Sequence, residues 1–124
     1  MAARELGYRR FPVVTIPDQP AWKTALDQLV AELREIYGPR MAQVVLYGSR
    51  ARGDADDGSD IDALVVLNPL GDFWEELSRI QPLASRVSIE HDVVLSAFPV
   101  DAEEYAHSSN PLLLNTRREG VVVA

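Results

Sequence analysis

The sequence predicts an α/β domain: a small mixed β-sheet with helices packed mainly on one face. Three observations lead there. One long segment carries a single apolar stripe at helical spacing, several short apolar runs bounded by turn residues read as strands, and the two kinds of segment alternate along the chain. The 124 residues, 47% hydrophobic and 25% charged, suit a single domain spanning 1–124 and exclude a largely disordered chain.

Residues 1–17 read as an extended arm, with Pro12 and Pro17 around an alternating Phe11-Val13 pattern that suits at most a short edge strand. Asp18 to Tyr37 is the clearest helix. Trp22, Leu26, Leu29, Leu33 and Ile36 recur every three or four residues, Asp18 can cap the start, Pro20 is tolerated in the first turn and Gly38-Pro39 stop it. Gln43 to Tyr47 is a short buried strand, Gly48 to Gly53 a turn with a short helix starting at Ser49, and Asp54 to Ser59 a polar loop. Asp60 to Leu67 is a second strand, closed by Asn68-Pro69. Phe73, Leu77 and Ile80 mark a helix with Trp74 beside them, which Pro82 ends or kinks. Ile89 to Phe98 is a third strand, closed by Pro99. Asp101 to His107 forms a short helix, Asn110 to Glu119 another with Pro111 first and Gly120 beyond its end, and Val121 to Val123 a final strand.

Composition narrows the function. The absence of cysteine excludes disulfides, thiolate metal sites and a cysteine nucleophile. A net charge of −7 argues against nonspecific nucleic-acid binding. The longest unbroken apolar run, Ala63 to Leu67, is far short of the roughly 20 residues that span a bilayer. The opening MAARELGYRR has no apolar core of a secretory signal, so a cytoplasmic location is expected.

Chemistry concentrates in VLYGSRARGDADDGSDIDALVV, residues 45–66. Gly48 and Gly53 have P-loop spacing, but Asp54 and Ala55 stand where a P-loop needs lysine and a hydroxyl, so the required charge is reversed. No GxGxxG dinucleotide fingerprint occurs. A solvated acidic loop accounts for Asp54, Asp56 and Asp57. It does not account for Asp60 and Asp62, which share one face of a strand with Cα atoms roughly 6.6 Å apart. Aspartate is depleted in strands, and two such carboxylates repel by roughly 3 kcal/mol at a separation of ~5 Å and an effective dielectric of ~20. A cation between them reverses that sign. Gly48 permits close backbone approach to a phosphate, and Ser49 offers a hydroxyl and the free N–H groups of a helix start. A Gly-Ser turn for a triphosphate beside an aspartate pair for magnesium is the minimum for phosphoryl-group chemistry.

Gly48-Ser49, ten residues, then Asp60-Ile61-Asp62, flanked by apolar Leu46-Tyr47 and Ala63-Leu64-Val65, resembles the signature of the polymerase-beta-like nucleotidyltransferases. HDVVLSAF resembles the segment holding the family's third carboxylate, here Asp92, and NPLLLNTRREGVVV is similar to the last helix and strand of its minimal members. The resemblance implies the nucleotidyltransferase fold and transfer of a nucleoside monophosphate, AMP from ATP, to a hydroxyl, with two magnesium ions and departure of pyrophosphate. By the same resemblance Asp60 and Asp62 ligate both metals, and Asp92 ligates the catalytic metal and helps deprotonate the acceptor. Gly48 and Ser49 hold the β- and γ-phosphates, and Arg50 and Arg52 are candidate further phosphate contacts. Alternation on the expected third strand makes Glu90 the rival of Asp92.

Minimal members of the family are often antitoxins of helical HEPN toxins, and some AMPylate a toxin tyrosine, so a HEPN-type partner is the leading expectation. The acidic chain argues against a nucleic-acid primer, and homo- or hetero-oligomers both stay open. A small-molecule acceptor such as an aminoglycoside, or a non-catalytic module that binds a partner, are the alternatives. His91 and His107 read as surface or packing residues, Trp22 and Trp74 as core, and Arg117 and Arg118 as favourable charges at a helix end.

Overall fold

The computed structural model describes residues 19–56 and 58–124; the expected N-terminal arm and the Asp18 cap lie outside them. Helix α1 (Ala21–Tyr37) and a 3₁₀ turn (Gly38–Arg40) lead into strand β1 (Met41–Tyr47) and the single-turn helix α2 (Ser49–Arg52). Strand β2 (Ile61–Leu67), the long helix α3 (Phe73–His91) and strand β3 (Leu95–Asp101) follow. Helices α4 (Ala102–His107) and α5 (Pro111–Glu119) and the short strand β4 (Val121–Val122) complete the chain. The sheet order is β3-β2-β1-β4. Strand β1 is antiparallel to β2 and β4, whereas β2 and β3 are parallel, joined by α3 as the crossover. This is the mixed sheet that the sequence predicts.

Alternation along the strands builds two unequal cores. Val44, Leu46, Ile61, Ala63, Val65, Leu67, Leu95 and Ala97 pack under α1 and α3, where Leu26, Leu29, Leu33, Ile80 and Val87 are buried. The opposite face buries Val45, Leu64, Val66 and Val100 beneath Tyr105 of α4 and Leu113 of α5. The helices therefore lie mainly on the first face, and the second is roofed only in part. The far end of α1 is tied to α3 through buried Glu76, which accepts hydrogen bonds from Tyr37 Oη and Arg40 Nη2, both at 2.8 Å.

Three local expectations are corrected. Pro82 neither ends nor sharply divides its helix, because α3 runs on to His91. Pro82 and Ser78, four residues before it, are both exposed, while Ile80, Leu83, Ala84 and Val87 stay buried on either side of the proline. Ile89 to His91 are consequently the last helical turn rather than the start of a strand. Asp92 follows as a left-handed cap with φ 53° and ψ 48°, and the Val93 N–H donates to the Ser88 carbonyl at 3.1 Å, a Schellman-type closure. Strand β3 then begins at Leu95 and passes through Pro99 to Asp101, which an edge strand tolerates. Finally, Trp74 is 72% exposed, stacked edge-on against Phe73 rather than in the core.

Candidate active site

The antiparallel register pairs Tyr47 with Asp62, so the end of β1 and the start of β2 meet at one corner of the sheet. Asp62 stands on the face roofed by α4 and α5, with Tyr47 on one side and Ser96 of β3 on the other. Gly48 turns the chain away from β1 with φ 74° and ψ −156°, a conformation suited to glycine. A Cβ built there would lie 2.9 Å from Asp62 Oδ2. The missing side chain thus makes room for the carboxylate as well as permitting the turn. Helix α2 starts directly after Gly48, which accepts from the N–H groups of Ala51 and Arg52, both at 3.1 Å. The amides that precede these in the turn have no intrahelical acceptor.

Electrostatics agree with this placement. Burial, and then the charge of Asp60, push the Asp62 carboxyl above its ordinary range. Burial and the neighbouring Asp62 likewise raise the Tyr47 phenol. The half-buried Asp62 and exposed Asp60 are hard oxygen donors close enough to feel each other, and a divalent cation bridging them would relieve their repulsion. The donor set therefore fits magnesium.

Asp92 does not join them on the sheet. It is exposed at the end of α3 and borders two cavities, of about 190 and 220 Å³, that it shares with Arg50 and Val93. Among the described residues, no group of three or more His, Asp or Glu is arranged to hold a metal ion. The place on β3 in register with Asp62 belongs to the hydroxyl of Ser96, a neighbour the sequence reading overlooked because it set the third strand too early. Glu90 is likewise on α3, where its Oε1 accepts from Arg86 at 2.7 Å and Gln28 at 3.4 Å. His91 Nε2 lies 2.8 Å from Gln28 Oε1, a packing role.

The two arginines part company. The Arg50 guanidinium lies 5.0 Å from the Trp22 ring centre and donates to the Ser59 carbonyl at 3.3 Å, which ties α2 and its loop to α1. Arg52 is exposed, pairs with Asp54 at 3.2 Å, and borders a third cavity together with Tyr47 and Gly48. In the loop, Asp56 Oδ1 accepts from the Gly58 N–H at 3.0 Å and from Ser59 Oγ at 3.2 Å, so this acid shapes a turn. Asp57 lies outside the described residues.

A glycine corner opening into a helix, with a carboxylate pair set against it on a mixed sheet, defines a domain equipped for phosphoryl-group chemistry. The profile of the nucleotidyltransferase domain family matches residues 26–113, and the chain belongs to that family. A Methanocaldococcus jannaschii protein that carries the name protein adenylyltransferase MJ0141 is 34% identical over 65 residues. That match takes in 52% of this chain and 65% of the relative, so the chain spans just under two thirds of that protein. Among solved structures, a toxin–antitoxin complex with AMP-PNP is similar with a TM-score of 0.54 and 20% identity, over 79% of this chain and 72% of that one. A structure described as a minimal nucleotidyltransferase gives 0.53 and 21%, over 86% and 98%. These two likenesses establish the shared fold. No helix among the described residues is long and apolar enough to cross a membrane.

Proposed function

We propose that the domain transfers AMP from magnesium-bound ATP to a hydroxyl on a partner protein, as the antitoxin of a pair with a HEPN-type toxin. The observation that carries this reading is the fit of the Asp62 carboxylate against the Gly48 corner, with Asp60 beside it. The name of the M. jannaschii relative supports adenylyl transfer to protein, and the toxin–antitoxin complex with AMP-PNP supports both the nucleotide and the kind of partner.

In this reading Gly48 and Ser49 cradle the β- and γ-phosphates, and Arg52 adds a positive charge at the same corner. Asp60 and Asp62 would hold magnesium, which would supply neutralisation of the negative charge on the phosphates. The acceptor oxygen bonds to the α-phosphorus, the bond from that phosphorus to the bridging oxygen breaks, and pyrophosphate leaves with the electron pair. The hydroxyl proton passes to solvent. The carboxylates would act on the α-phosphate only through the magnesium they would hold, and Gly48 and Ser49 would fix the triphosphate for in-line attack. The test is incubation with α-labelled ATP, magnesium and a candidate partner. The partner should gain AMP as pyrophosphate appears, and Asp62→Ala should abolish both. Equal labelling by the wild type and Asp62→Ala would refute the assignment.

A further inference from the structure

Helix α3 turns one side to the core. At 3.6 residues per turn its opposite side gathers Trp74, Ser78, Gln81, Pro82, Ser85 and Ile89 into one stripe, about 100° wide and about 22 Å long. All of them are exposed, Trp74 by 72% and Ile89 by 82%. No charge stands among them, although the chain carries a net −7. The stripe is also nearly palindromic. Read from either end it gives a large apolar side chain, then a serine, then the centre at Gln81 and Pro82. The charges along its flank are matched within the helix, Arg79 pairing with Glu75 at 3.7 Å and Arg86 with Glu90 at 2.7 Å.

We propose that this face joins two copies of the chain, α3 lying antiparallel on the partner's α3 about a two-fold axis near Gln81 and Pro82. Trp74 of each copy then covers the partner's Ile89, and Ser78 meets the partner's Ser85, where small side chains let the helix axes approach closely. The proposal is independent of the catalytic reading. A two-fold contact must be self-complementary, which a palindromic stripe satisfies and a foreign helix has no reason to require. Two acidic copies repel overall, so they meet where charge is absent or internally balanced. Pairing through the β3 edge is blocked. There the Leu95 N–H donates to Ser88 Oγ at 3.0 Å, the Ala97 carbonyl accepts from Gln81 Nε2 at 3.4 Å, and Pro99 has no N–H. A stripe one helix wide is small beside the ~800 Å² per partner of a standard interface, so the dimer is expected to be weak, with Trp74 as its anchor.

The experiment is sedimentation velocity of the full chain over a range of concentrations, with circular dichroism as a fold control. The wild type should pass from monomer to dimer as the concentration rises toward about 1 mM. Trp74→Ala and Ile89→Lys should each weaken association by roughly 30-fold or more, the scale of an interface anchor, with unchanged dichroism. Ile36→Lys, at an exposed apolar position on α1, should associate as the wild type does. The chain has no cysteine, so introduced thiols report the register. Ser78→Cys and Ser85→Cys should cross-link when mixed and oxidised. Neither should cross-link to itself, because like positions stand about 10 Å apart along the axis, beyond disulfide reach. A wild type that stays monomeric, a dimer that survives both stripe variants, a cysteine variant that joins to itself, or a mixture that fails to join would each overturn the proposal. So would a wild-type monomer that binds a foreign helical protein through Trp74 and Ile89, which would give the stripe to that partner.

Discussion

Replacing Gly48 with alanine tests the corner on which the site is built. At φ 74° and ψ −156° the residue occupies a region that is essentially glycine-only, and another residue there costs about 1–3 kcal/mol. The new Cβ would arrive 2.9 Å from Asp62 Oδ2, while the next nearest atoms, Cγ and Cβ of the same side chain, stay 3.8 and 3.9 Å away. The clash therefore falls on the free end of one carboxylate, which can swing aside. Backbone strain should dominate the loss of stability, and the displaced carboxylate the loss of function. A domain of this size loses roughly 3–5 °C per kcal/mol, so a fall in melting temperature of roughly 3–15 °C is expected without metal. Affinity for magnesium-ATP should fall at the same time. A double-mutant cycle with Asp62→Ala separates the two effects, since strain alone gives a coupling below roughly 0.5 kcal/mol. A Gly48→Ala variant that melts with the wild type and binds magnesium-ATP equally well would refute the argument.

Other outcomes follow from the same geometry. Because the Asp62 carboxyl is held above its ordinary value of 3.8, its stabilising share is present at low pH and lost as the pH rises through the raised value. Asp62→Asn should therefore match the wild type in acid and melt higher at neutral pH without metal. A lower melting temperature at neutral pH would mark a structural carboxylate. Arg50→Ala should cost about 1 kcal/mol of stability through the lost contact with Trp22 and leave magnesium-ATP affinity near that of the wild type, as chemical denaturation and calorimetry would show. Arg52→Ala should do the reverse, and exchanged phenotypes would overturn the division between them. With Asp92 at a helix cap, Asp92→Asn should keep AMP transfer close to wild type in a labelled-ATP assay. A loss of roughly 100-fold, the scale of a missing general base, would restore the role that sequence resemblance gave it.

The part of the site nearest the chain's own signals was legible in the sequence. Gly48, Ser49, Asp60 and Asp62 stand around one short stretch, and strand alternation gives the face of Asp62, while the pairing with Tyr47 brings it to the corner. The stripe of α1 was equally plain, since Leu26, Leu29 and Leu33 repeat over several turns. The third strand was misplaced because short apolar runs do not distinguish a helix end from a strand. Ile89 suggested the start of a sheet, yet it is 82% exposed on the last turn of α3. Pro82 reinforced the error, because only the buried residues on both sides of it reveal that packing outweighs one missing hydrogen bond. Asp92 inherited that misplaced strand. Tyr47 and Ser96 gained their places from cross-strand register, which no single segment of sequence encodes.

Register also frees the connection between the two halves of the site. The distance from Gly48 to Asp62 is fixed by the ladder that pairs Tyr47 with Asp62, and not by the contour of the loop before Asp60 that runs between them. That segment is held locally, by the Asp56 turn and the contact from Arg50 to Ser59. Doubling its length would add only about 0.6 kcal/mol of closure entropy. The connection is thus a variable part joined to an invariant one. A peptide tag, a protease site or a fluorophore inserted near Gly58 would report on the approach of substrate or partner from the edge of the active site, without moving the carboxylate that defines it.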